Sequence, residues 1–307
     1  MKLLLLGADG QVGWRLRHSL AALGEVTALS RSSQDLCGDL SRPEALAQTV
    51  RQLRPDVVVN AAAWTAVDQA ESEPDAAFAV NATACEVLAR ETEALGAWLV
   101  HYSSDYVYDG SGERPWRETD PTGPLNTYGR SKLAGDLAIA AHSTRHLVFR
   151  TSWVCDSRGS NFLLSILKAA QARGSLSVVA DQWGAPTPAA LIADITALAL
   201  QRLGSTPDPQ TLAGVYHLAP EGFTNWHAYA TLAVQEGLAC GMALRTAPDK
   251  LLPIAAADYP VRAARPANSR LDTARLRQAF GVALPAWQDG VHALVAQIVA
   301  QAQSPHH

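Results

Sequence analysis

The chain has 307 residues, 25 basic against 29 acidic, a formal charge of −4 and 48% hydrophobic residues. That length fits one large domain or two smaller ones, and it buries a core without disulfide or metal staples. The low charged fraction, 18%, argues against disorder, and the mild acidity excludes bulk attraction to nucleic acid. No segment reaches the roughly 18–20 apolar residues of a membrane span. The apolar run after Met1-Lys2 is too short for a signal peptide, so a buried strand is expected there. Cys37, Cys85, Cys155 and Cys240 lack C-x-x-C spacing. They read as bystander thiols of a reducing cytosol, not as disulfides or zinc ligands, and no metal site is expected. Pro305-His306-His307 is either a native end or a tag remnant.

Lys2–Leu6 is a continuous apolar run, as in a strand buried on both faces. Gly7–Gly13 is a turn. Val12, Leu16, Leu20 and Leu23 recur at helical spacing, which predicts a helix from Gln11 to Leu23, stopped by Gly24. Further strands are predicted at Glu25–Leu29, Asp56–Val59, Ala97–Tyr102 and His146–Arg150. Helices alternate with them, from Pro43 to about Leu53, from Pro74 to Leu95 and from Leu125 to Ala141. This alternation predicts an α/β fold, a doubly wound parallel sheet of the Rossmann type.

After residue 151 the pattern loosens. Strands are expected at Leu176–Val179, Val215–Leu218 and Leu244–Thr246. Helices are expected at Ala189–Leu203, Trp226–Glu236, Thr273–Ala279 and Ala286–Gln301. Residues 1–151 are read as a dinucleotide-binding domain that later segments are free to rejoin. Residues 152–307 are read as a smaller mixed α/β lobe that shapes a substrate pocket.

Gly7-Ala8-Asp9-Gly10-Gln11-Val12-Gly13 is a G-x-x-G-x-x-G turn between strand and helix. Glycines there let the backbone approach a pyrophosphate, and the helix N-terminus offers it free N–H groups. An NAD site places an acidic residue about 20 residues past the turn. Here Ser30-Arg31-Ser32-Ser33 stands in that place. Arg31 either pairs with a 2′-phosphate, which favours NADPH over NADH, or is a solvated surface arginine. Asp39, before Leu40, either bonds the adenine amino group or caps the next helix. Asn60-Ala61-Ala62-Ala63 either leaves room for a ligand or packs closely against a helix.

Tyr128 and Lys132 stand four residues apart on a predicted helix, so both face one side. An ammonium beside the phenol lowers its pKa from near 10 and suits it to acid–base work. Ser104 ends the fourth strand and can hydrogen-bond a substrate carbonyl or cap a turn.

The glycine turn, Ser104 and Y-x-x-x-K, in that order, resemble the extended short-chain dehydrogenase/reductase family. The resemblance covers nearly the whole chain. It is closest to the branch acting on dTDP-linked ketosugars, through NAAAWTAVDQAE (60–71), HYSSDYV (101–107), PLNTYGRSKLA (124–134), FRTSWV (149–154), DQWGAPT (181–187) and RPANSRLD (265–272). It implies that Tyr128 donates a proton to the sugar oxygen and that Lys132 holds the nicotinamide ribose and tunes Tyr128. It implies that Ser104, where many relatives carry threonine, polarises the carbonyl. Gly10, Gln11, Val12, Asp39, Leu40, Ala63, Thr65 and Tyr102 would line the cofactor. Asp105 and Trp153 would contact the sugar or its nucleotide, although Trp153 is equally suited to a core. Arg265 would meet the diphosphate or form a structural ion pair.

The implied activity is reduction of the C4 keto group of a dTDP-linked 4-keto-6-deoxyhexose by NADPH, with NADH as a second donor. The implied setting is cytoplasmic polysaccharide biosynthesis, by a monomer or homodimer. The alternatives are another ketosugar reductase or epimerase of this family, or a non-catalytic dinucleotide-binding regulatory subunit. Some relatives are described as dimers joined by Mg²⁺ through acidic residues. Arg15, Ala190 and His292 stand at the matching positions, so such a dimer is not expected here.

Overall fold

The computed structural model describes residues 1–303, so the reading of Pro305-His306-His307 lies outside the described residues. Six strands form the central sheet: β1 (Lys2–Leu6), β2 (Glu25–Leu29), β3 (Val57–Asn60), β4 (Trp98–Ser104), β5 (His146–Thr151) and β6 (Gly214–His217). All pair in parallel, in the order β2-β1-β3-β4-β5-β6. The helices of seven or more residues are α1 (Gln11–Ala21), α2 (Pro43–Leu53), α3 (Ala84–Leu95), α4 (Thr127–His142), α5 (Phe162–Ala172), α6 (Ala189–Ser205), α7 (Trp226–Ala239), α8 (Ala274–Phe280) and α9 (Trp287–Gln303).

The apolar run of β1 has a direct physical cause. Successive side chains point to opposite faces, and both faces are covered. Leu3 and Leu5 join the core shared with α1, α6 and α8. Leu4 and Leu6 join the core shared with α2, α3 and α4. Val57 and Val59 against Val58 repeat the pattern in β3. Truncating such a leucine to alanine costs about 2–5 kcal/mol, so these short strands are strongly registered.

The sixth strand comes from beyond residue 151, and α6 and α8 return to the sheet with it. A second core lies under α5, α7 and α9. A parallel ladder of Leu176–Val179 with Leu251–Ile254 contributes to it.

Three differences from the expected elements stand out. Helix α5 was not anticipated, although Asn161 caps it by accepting from the Leu164 N–H at 3.0 Å. Leu244–Thr246 is not a strand. The Arg245 and Thr246 N–H groups both donate to the Ala170 carbonyl, closing the last turn of α5. The ladder strand lies instead at Leu251–Ile254 and tolerates Pro253 because it belongs to a two-stranded sheet. The helix expected from Pro74 to Leu95 is interrupted by a π-turn at Ala79–Thr83.

Chain order reverses between β1 and β3. In such sheets ligands bind at the carboxyl ends of the strands at that switch. Leu6 is in register with Asn60, which brings the glycine turn beside Asn60–Ala63.

Candidate active site

The glycine turn meets its steric demand directly. Gly7 has φ +79°, and a Cβ there would lie 2.5 Å from the Ala62 nitrogen. A Cβ on Gly13 would lie 2.0 Å from the Gly7 carbonyl oxygen. Both glycines close the turn onto its neighbours. At Gly10 a Cβ would meet the Gly7 oxygen at 3.3 Å, a tight contact, and no other atom within 4 Å. No side chain caps the N-terminus of α1, and no acid sits in its first turn. An uncapped, acid-free helix end behind a Cβ-free surface fits a pyrophosphate.

Around the turn, Gln11 accepts from Asn161 Nδ2 at 2.7 Å. Val12 packs on the core beneath. Ser30 Oγ lies 3.1 Å from Ser32 Oγ. Arg31 is exposed and in no ion pair among the described residues, so its guanidinium remains open to an anion. Asp39 Oδ1 accepts from the Ser41 N–H and hydroxyl, and Leu40 is buried. Ala63 and Thr65 are exposed, and Ala62 is partly so. Tyr102 is a correction. Its ring is core and its hydroxyl pairs with Thr196 Oγ1 at 2.8 Å, so only its backbone is turned to the site.

Helix α4 carries Tyr128 and Lys132, and its start is pinned from three directions. Asn126 caps it by accepting from the Gly129 N–H at 2.8 Å and donates to the Ala264 carbonyl. The Thr127 N–H donates to Glu71 at 2.6 Å. Asn81, in the π-turn, donates to Ser131 Oγ at 2.9 Å and also holds both backbone polar groups of Trp64. A π-turn often marks a functional place, and this one fixes the loop after β3 against the reactive helix.

Lys132 is 1% exposed. It donates to the Tyr102 carbonyl at 2.7 Å, and its Nζ lies 3.1 Å from His101 Nε2. Burial lowers its pKa, against the pull of Cys85 and Asp136. Tyr128 packs edge-on against Tyr106, with ring centroids 5.5 Å apart. Burial raises the phenol to about 12; the Ser104 hydroxyl eases it down, while the charges of Asp105 and Asp136 push it up. This corrects the expectation of a lowered phenol pKa. The lysine is turned to strand β4, so it gives the phenolate little support here.

Ser104 realises the turn-capping reading of its position. Its Oγ accepts from the Tyr106 N–H at 3.1 Å, capping a short turn, and it neighbours Tyr128. It also donates to Asp105 Oδ1 at 3.0 Å. Asp105 is buried, and burial raises its carboxyl to about 6 despite bonds from Ser269 and Ser104. Its Oδ2 has no hydrogen-bond partner among the described residues.

Trp153 is half-buried and adopts φ +46°, an unusual backbone for a bulky residue. Its ring stacks on Trp226 with centroids 3.6 Å apart. A Cβ on Gly184 would lie 2.7 Å from that ring, so this glycine is what lets the indole lie flat. Arg265 forms an ion pair with Asp68 at 2.7 Å.

Arg15 pairs with Asp156, and His292 lies 2.9 Å from Glu236. No group of three metal-ligating side chains is assembled among the described residues. Neither is any helix there long and apolar enough to cross a membrane. Sequence reasoning missed Asn126, Asn81 as a clamp, Trp226 and the His101–Cys85 pair under Lys132. Of these, only the Asn126 cap leaves a local signal, an Asn just before the helix.

The model for the RmlD substrate binding domain matches residues 1–300. A dTDP-4-dehydrorhamnose reductase of Shigella flexneri is 49% identical, over 97% of this chain and 98% of that protein. One of Burkholderia thailandensis is 47% identical, over 98% of this chain and all of the relative. A crystal structure of dTDP-4-dehydrorhamnose reductase from Bacillus anthracis in complex with NADP superposes with a TM-score of 0.84. It is 28% identical and covers 96% of this chain and 99% of that one. With its glycine turn, its Ser104–Tyr128–Lys132 cluster and this match along nearly all its length, the chain belongs to the RmlD substrate binding domain family.

Proposed function

We propose that this chain is an NADPH-dependent dTDP-4-dehydrorhamnose reductase. It reduces the C4 keto group of dTDP-4-dehydro-L-rhamnose to give dTDP-L-rhamnose. The observation that carries the reading is Ser104, Tyr128 and Lys132 gathered at the carboxyl end of β4, near the switch point, in a chain 49% identical to a reductase of that name.

Bound NADPH supplies the hydride. The residues do the rest. Gly7, Gly10, Gly13 and the α1 N-terminus receive the diphosphate, and Arg31 receives a 2′-phosphate. Ser104 and Tyr128 hold the ketone oxygen. A phenol raised to about 12 is fully protonated at neutral pH, which suits an acid that must deliver its proton in the reductive direction. As negative charge develops on the sugar oxygen, Tyr128 hands over that proton. Lys132 holds the ribose and keeps the site electropositive. Asp105 and the Trp153 face bind the sugar. Arg265, engaged by Asp68, shapes this wall.

The division into a cofactor lobe (1–151 with returned segments) and a substrate lobe (152–307) belongs to this reading. So does a cytoplasmic monomer or homodimer that uses no Mg²⁺ link. The test is cofactor oxidation with dTDP-4-dehydro-L-rhamnose. One NADPH consumed per sugar supports a reductase. No net consumption with sugar isomerisation indicates an epimerase. Cofactor binding without turnover indicates a regulatory subunit.

A further inference from the structure

A buried cluster lies directly beneath Lys132, and the reaction just described does not use it. His101, 1% exposed, projects from β4 between Lys132 on α4, Asn60 on β3 and Cys85 on α3. Its Nδ1 is 3.2 Å from Asn60 Nδ2 and its Nε2 is 3.1 Å from Lys132 Nζ. Cys85 Sγ lies 3.9 and 3.8 Å from the two ring nitrogens. Among the described residues the carboxylate acting on Lys132 is Asp136, which is itself paired with Arg150 at 3.0 Å.

Counting protons shows a conflict. The Asn60 amide is oriented by its oxygen, which accepts from the Ala62 N–H at 3.2 Å. Its nitrogen is therefore what faces His101, and that nitrogen can only donate. A neutral imidazole has one N–H and one acceptor. Burial together with the Lys132 charge keeps this imidazole neutral. With Asn60 donating to Nδ1, the ring proton belongs on Nε2, where it points at Lys132 Nζ. An ammonium there would set donor against donor. An amine that has given up a proton would accept from Nε2 and still donate to the Tyr102 carbonyl.

We propose that His101 is a positioning residue for Lys132. Pinned by Asn60 with its proton on Nε2, it meets the lysine with a donor and so weakens the hold of Nζ on its own proton. When Lys132 is charged, the ring proton must move to Nδ1, where only the Cys85 sulfur can accept it. The ring tautomer and the lysine charge are therefore coupled. The working form of the enzyme, with Lys132 charged, is lost at a lower pH than it would be for a lysine facing acceptors only.

The proposal rests on the role given to Lys132 above, and the test separates the two. Long-range ¹H–¹⁵N spectra of the uniformly labelled full chain, from pH 6 to pH 10, report the His101 tautomer whatever the enzyme's substrate is. The resonance is assigned by its loss in His101→Gln. In parallel, the pH dependence of kcat/KM with NADPH and dTDP-4-dehydro-L-rhamnose is compared for the wild type and His101→Gln. Gln offers Lys132 an acceptor. Expected are the Nε2–H tautomer above the alkaline limb of the wild type, and a limb moved up by about one pH unit in the variant, the equivalent of one hydrogen bond. An Nδ1–H tautomer above the limb, or a limb that does not move, overturns the proposal. A merely structural histidine would scale activity down without moving the limb.

Discussion

The two ends of the site are built from different materials. The proposed cofactor end is mostly backbone: three glycines, an uncapped helix terminus and a row of alanines. The proposed substrate end is mostly side chains: Ser104, Asp105, Tyr128 and a tryptophan stacked on a second tryptophan. Backbone surfaces are set by steric exclusion, which leaves short, local marks such as the spacing of glycines. Side-chain surfaces are assembled from segments far apart in the chain, and each segment alone looks ordinary. The contrast predicts different failures. Damage at the first end should abolish cofactor binding, and damage at the second should spare it.

The largest effect on the cofactor end is expected from Gly7→Ala. The substitution forces a side chain into φ +79° and onto the Ala62 backbone. Fluorescence titration should show NADPH affinity falling about ten- to a hundredfold, the worth of a charge-assisted hydrogen bond to the phosphate, with circular dichroism unchanged. Retained affinity would mean that the turn is not a cofactor cradle.

At the substrate end, Asp105→Asn should separate stability from activity. The Asp105 carboxyl sits at about 6 in the fold against an unfolded value near 3.8. Its folded pKa is raised, so its contribution is favourable below pH 3.8 and is lost as pH rises through about 6. Above pH 6 the buried charge costs on the order of 2–3 kcal/mol. Asp105→Asn should therefore be more stable than the wild type at pH 8 in urea unfolding, with the gain vanishing towards pH 4, and should lose turnover. A variant equally stable at both pH values would contradict this.

A smaller effect is expected from Arg31→Ala. Its exposed guanidinium is the one side chain at the cofactor end read as meeting a 2′-phosphate. Losing one charge-assisted contact, about 1.5 kcal/mol, should shift the NADPH-to-NADH preference about tenfold. An unchanged ratio of kcat/KM values would return Arg31 to the solvated surface.

The same contrast explains what could be read in advance. The buried strands were legible because Leu3–Leu6 and Val57–Val59 have both faces covered, which leaves no polar alternation to misread. The glycine turn and Y-x-x-x-K were legible because their geometry is local. Leu244–Thr246 misled because so short a segment does not say whether its N–H groups join a ladder or close a helix end. Pro253 hid a real strand because its edge position is a tertiary fact. The raised phenol of Tyr128 was not legible either. Four-residue spacing puts Lys132 on the same face, but whether Nζ turns to the phenol or to β4 depends on the Tyr102 carbonyl and His101 across the sheet.

The most direct measurement of the division between the two ends is made on one variant, Tyr128→Phe, with two readings taken together. The account predicts an NADPH dissociation constant within about twofold of the wild type, and a single-turnover reduction of dTDP-4-dehydro-L-rhamnose slowed by about 10²–10⁴-fold, the usual worth of a positioned proton donor. Near wild-type turnover, or loss of NADPH binding in step with turnover, would contradict it.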